Sequence, residues 1–117
     1  MALKHANPLD VIDLHATDEQ RGTHGSSSLL KTAHLQLLQI VLPAGDEMPQ
    51  HHVPGEVTIQ CLAGEAAVTT PHGTCTLREG QLVALPEQVP HAVQARDDST
   101  LLVTLIRKPG DAGPGSP

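Results

Sequence analysis

Eight histidines stand in a chain of 117 residues. Imidazole titrates near neutrality, so it can take a proton, give one, or offer a lone pair to a metal or a ligand. Five of the eight have plain structural settings. His5, His15 and His24 lie in a polar N-terminal stretch and read as solvated. His72 sits in the turn Pro71-His72-Gly73. His34 begins a strand and reads as a satisfied structural residue. That leaves His51, His52 and His91 as candidates for chemistry. His51 and His52 are adjacent, and neighbours on a strand face opposite sides. Both rings turn the same way only at a bulge or in irregular backbone. The two cysteines, Cys61 and Cys75, lack a C-x-x-C spacing and are too few for a disulfide framework, so they read as reduced, partly buried thiols.

The elements that must hold these residues are short. From Leu29 onward, apolar runs alternate with turn signals. The runs are Leu35–Leu42, Val57–Ala63, 66–70, 75–78, Leu82–Leu85, His91–Ala95 and 101–106. Pro43-Ala44-Gly45, Pro54-Gly55, Gly64, Glu79-Gly80 and Arg96-Asp97-Asp98 are among the breaks. Punctuation roughly every 8–12 residues is the mark of an all-β sandwich or barrel. A helical face could be drawn through residues 29–42, but Gln36, Gln39 and the following Pro43 fit a strand entering a turn. The length allows one domain. Residues 1–28 read as a short N-terminal strand and a loop, RGTHGSSS; residues 29–108 form the body; residues 109–117 read as a disordered tail rich in glycine and proline. The segment 101–106 is apolar on both faces. A strand with one face in water should alternate, so the N-terminal strand or a second subunit must cover the outer side. A homodimer with an isologous interface is the expectation.

Composition excludes several functions. Phe, Tyr and Trp are all absent, so the core is aliphatic and no ring can stack on a base. Seven basic residues against thirteen acidic ones give a net charge of −6, which repels a phosphate backbone. No nucleic-acid partner is expected. No run approaches the roughly twenty apolar residues of a membrane span, and the start has no secretory apolar core. The expected address is cytoplasmic.

Two stretches carry a resemblance. PAGDEMPQHHVPGEVTIQCLAG (43–64) and EGQLVALPEQVPHAVQA (79–95) resemble the two motifs of the cupin superfamily, G-x5-H-x-H-x3-4-E-x6-G and G-x5-P-x-G-x2-H-x3-N. Gly45, His51 and Gly64 match the first; Gly80, Pro86 and His91 match the second. The resemblance implies a small single-domain cupin: a double-stranded β-helix, a jelly-roll barrel of antiparallel sheets with a pocket inside. In the family, three histidines and a glutamate hold a metal there. In this chain the second histidine position is Val53, the glutamate position is Val57, the second motif's glycine is Gln88, and its asparagine is Ala95. Glu56 is out of register and points away.

On that alignment His51 and His91 face each other across a pocket lined by Val53, Val57, Ile59 and Cys61. The first functional expectation is a module that binds a small organic ligand, a carboxylate or hydroxyl gripped by the two histidines. The alternative is a metal-dependent dioxygenase or isomerase. There His51 and His91, with His52 as a third candidate, would hold one divalent transition metal: Fe, Mn, Ni, Zn or Cu. The epimerase chemistry of related barrels uses a tyrosine acid, and this chain has no tyrosine. Cys61, in an apolar wall, is not a nucleophile.

Overall fold

A computed structural model describes residues 5–107. Every regular element among them is a strand: β1 (Gly25–Lys31), β2 (Leu35–Leu42), β3 (Glu47–His51), β4 (Val57–Ala63), β5 (Glu65–Thr70), β6 (Gly73–Arg78), β7 (Leu82–Leu85), β8 (His91–Ala95) and β9 (Ser99–Ile106). They form two antiparallel sheets. One has the order β1-β2-β9-β4-β7 and the other β3-β8-β5-β6. The protein is all-β, as the turn spacing implies. No described helix is long and apolar enough to cross a membrane.

Strand alternation builds the core. On β4, Val57, Ile59 and Cys61 are buried and point inward, while Thr58 and Gln60 between them are half-buried. Val57 pairs with Leu105, Ile59 with Val103 and Cys61 with Leu101, so β9 adds a second inward row. From the facing sheet come Ala66, Val68, Val93 and Ala95, all nearly inaccessible. Each fully buried Leu, Val or Ile contributes roughly 1.5–3 kcal/mol. An aliphatic core of this kind closes the barrel without a single aromatic ring.

Three local features depart from the sequence reading. Residues 21–28 were expected as a loop; Gly25–Ser28 instead form the first half of β1, paired with Val41 through Leu38. Ahead of Gly25 the described residues contain turns and no strand, so the N-terminal strand is corrected to an irregular segment. Residues 29–42 are not one strand entry. The Thr32 hydroxyl accepts hydrogen bonds from the His34 and Leu35 amides, and the Thr32 amide donates to the Leu35 carbonyl, which turns β1 into β2. His34 lies exposed in that turn. Last, β3 has almost no apolar content. It is an edge strand with a register shift between Met48 and His51, and Pro49 within it is tolerated because an edge strand need not donate from every residue. The proposed tail lies outside the described residues.

The outer face of β2 and β9 is covered in part by the irregular N-terminal segment. The Gln39 side chain donates to the Leu14 carbonyl and accepts from the Gln20 side chain. Ala16, Gln39, Val41 and Thr100 are all buried. The Ala6 amide donates to the Leu29 carbonyl and so occupies part of the free edge of β1. Leu82 and Ile106 keep large exposed surfaces on the far side.

Gly64 makes the tight β4–β5 connection at φ +86°, and a Cβ there would overlap the Asp98 carbonyl and Ser99. A Gly64→Ala variant is therefore expected to lose at least about 2 kcal/mol of stability in urea unfolding. A midpoint equal to that of the wild type would contradict this packing.

Candidate functional site

The β3–β8 pairing sets His51 directly opposite His91. A glutamate, a methionine, a proline and a glutamine precede His51 on β3, so the strand contributes little to the core beyond Met48, which packs against it. Its bulge re-aims the residues after Met48. The two imidazole rings end with their centroids 4.5 Å apart, tilted by 56°. His91 is buried at 3% exposure, whereas His51 is exposed. The pair thus runs from the barrel interior to its rim.

Each ring is fixed in the same way. His51 Nδ1 donates to the Pro49 carbonyl at 3.1 Å, and His91 Nδ1 donates to the Val89 carbonyl at 3.1 Å. A carbonyl oxygen can only accept, so Nδ1 carries the proton in both rings. In the neutral form each Nε2 is then a bare lone pair. Burial pushes the pKa of His91 below the ordinary imidazole value. The Val89 carbonyl opposes that shift, and the neighbouring His51 ring reinforces it. A neutral His91 accepts hydrogen bonds and cannot pair with a carboxylate as a cation.

The other candidates are spread out. Val53, Val57, Ile59 and Cys61 are all buried members of the core cluster. The Cys61 thiol donates to the carbonyls of Ala63 and Gly64, at the end of β4 away from Val57 and the histidine loop. Burial raises its pKa, which keeps it an inert thiol. Cys75, expected to be partly buried, is exposed, and both cysteines are free. His52 is exposed and lies just past the end of β3. Among the described residues no three His, Cys, Asp or Glu side chains come together as a metal-binding group. Glu56 is exposed; its carbonyl accepts from the Ile106 amide.

The sequence reading did not reach the Pro49 and Val89 carbonyls, because backbone groups leave no mark in residue type. Gln88 left a partial one. It takes φ +65°, the left-handed conformation that the family pattern gives to glycine, and its amide donates to the Val53 carbonyl.

A cupin-domain family model matches residues 38–107. The chain belongs to the cupin domain family. An uncharacterized protein of Methanocaldococcus jannaschii is 31% identical to it over 85 residues, 69% of this chain and 71% of that protein. The solved structure from that organism, described as an RmlC-like cupin with a double-stranded β-helix fold, superposes at a TM-score of 0.71, covering 86% of this chain and 95% of that one at 24% identity. A conserved Streptococcus pyogenes protein of unknown function matches at 0.73, with 24% identity over 92% of this chain and 96% of that one. A cupin superfamily protein of Desulfitobacterium hafniense matches at 0.74, with 17% identity over 92% and 100%. These structural likenesses establish the double-stranded β-helix fold.

The residues of this cupin do not fit the metal that its family implies. Two imidazoles are present, but valines occupy the other two ligand positions, and no third donor joins the pair among the described residues. Catalytic zinc sites keep three protein ligands.

Two predictions follow from this geometry. Burial holds the pKa of His91 in the fold below the value of about 6.5 that it has in the unfolded chain. Below that value the unfolded state binds more protons, so stability contributed at neutral pH is lost as pH falls toward the lowered folded value. The stability difference between wild type and His91→Asn should therefore shrink from about pH 7.5 to about pH 5.5 in urea unfolding; parallel curves would contradict it. Separately, Gln88→Gly should relieve the left-handed backbone and raise stability by about 1 kcal/mol. A loss of stability on thermal melting would show that the Gln88 side chain is needed there.

Proposed function

We propose that this cupin is a binding module for a small aliphatic molecule bearing hydroxyl or N–H groups, held at the barrel mouth by His51 and His91. The observation that carries the reading is the pair of Nδ1 protons committed to the Pro49 and Val89 carbonyls. That arrangement turns two hydrogen-bond acceptors toward whatever enters. An acceptor-lined site over an aliphatic floor selects a ligand with donors on an apolar body.

The same geometry separates hydroxyls from carboxylates, which composition alone left together. A carboxylate offers only acceptors at neutral pH. To bind, it must bring a proton onto an Nε2, and the burial of His91 opposes that charge. Hydroxyl ligands bind without this cost. The missing aromatic rings point the same way: the buried core is aliphatic and offers no ring to stack on the flat face of a sugar.

The test is a thermal-shift and calorimetric comparison, at about pH 7.5, of short aliphatic diols with carboxylates of the same carbon skeleton. The diols should stabilise the protein and the carboxylates should not. His91→Asn should weaken diol binding about tenfold or more, the loss of one buried hydrogen bond. Untagged protein should also carry less than about a tenth of an equivalent of transition metal. Near-stoichiometric metal that disappears in His51→Ala would overturn the binding-module reading in favour of a metalloenzyme.

A further inference from the structure

Gln36 is an unusual residue for its position. On β2 it shares a strand face with Leu38, Ile40 and Leu42, which either lie in the core or pack against it. It is 6% exposed. Its Nε2 donates to the Ser28 hydroxyl at 3.0 Å, and that hydroxyl is 2.8 Å from His5 Nε2. Its Oε1 is buried and has no hydrogen-bond partner. An orphaned buried acceptor costs free energy, and aliphatic neighbours cannot recover it.

Strand register places this residue at the histidine end of the barrel. Gln36 pairs with Leu105, and Leu105 pairs with Val57. Val57 starts β4, six residues after His51 ends β3, so one short loop joins Val57 to His51. Gln36 therefore lies on the inward face, two strands from Val57 and at the same end of its sheet, the end from which the chain leaves toward His51. We infer that Gln36 is a third recognition group of the binding site, its Oε1 accepting a hydrogen bond from a second donor on the ligand. This rests on the binding-module reading and sharpens it. One hydroxyl donates to a histidine Nε2 and another to Gln36 Oε1, so the preferred ligand carries at least two donors on one short skeleton. The Ser28 hydrogen bond holds the other end of the amide, so the acceptor is oriented before the ligand arrives.

The probe is 1,2-propanediol, titrated into uniformly 15N-labelled protein and followed by NMR. At saturation the imidazole nitrogen signals of His51 and His91 and the side-chain amide signal of Gln36 should all move with one dissociation constant. Gln36→Met, which keeps the length and removes the acceptor, should weaken binding about tenfold. It should melt close to the wild type, because the variant removes an unsatisfied acceptor and also gives up the Ser28 hydrogen bond. 1-Propanol, with a single donor, should bind wild type and Gln36→Met equally. If the histidine signals move while the Gln36 amide stays still, or if Gln36→Met binds the diol within twofold of wild type, the inference is overturned and the histidine site stands. If no histidine signal moves at saturating diol, the binding-module reading falls and the inference with it. The Gln36 amide signal is read in the wild type, so the result does not depend on the variant folding.

Discussion

Two backbone carbonyls, those of Pro49 and Val89, set the tautomer of the histidine pair on which the proposed binding site rests. Each takes the Nδ1 proton of the histidine two residues further along. The antiparallel pairing of β3 with β8 then brings the two rings together. Without those carbonyls either ring could flip tautomer and offer a donor. With them, the neutral pair is a set of acceptors. The depressed pKa of His91 works in the same direction, because burial makes the cationic form costly.

The barrel supports this arrangement from behind. The inward rows of β4 and β9 and the facing residues of β5 and β8 fill the interior with aliphatic side chains, so His91 stands at the boundary between a dry core and an open rim. The metal that cupins commonly carry has lost two of its four ligand positions to Val53 and Val57. The substitution does more than remove donors. It places two buried valines in the aliphatic core at those positions.

Much of this was legible in the sequence, for identifiable reasons. β2, β4, β7 and β8 have the boundaries that the apolar runs set, because each contributes a regular inward row bounded by a turn residue. Gly45, Gly64 and Gly80 all adopt positive φ, which is why their spacing carries the fold. β1 and β3 were not legible. Both are edge strands, and Ser26, Ser28 and Gln50 fill positions where the pattern of a central strand would demand apolar residues. Motif alignment set His51 and His91 across a pocket from each other, whereas they are neighbours on paired strands of one sheet with their rings 4.5 Å apart. The tautomer was not legible, because it is set by main-chain oxygens that any residue supplies. Gln36 did leave a signal, a polar side chain in phase with Leu38, Ile40 and Leu42. It was read only as support for a strand.

The tautomeric state of the two rings bears on the account most directly. Long-range proton–nitrogen correlation spectra of the ligand-free protein at about pH 8, above the ordinary imidazole range, report which nitrogen of each histidine holds the proton. The expected result is protonated Nδ1 and bare Nε2 at both His51 and His91. A proton on Nε2 of either ring would contradict it, since that ring would then present a donor to the barrel mouth.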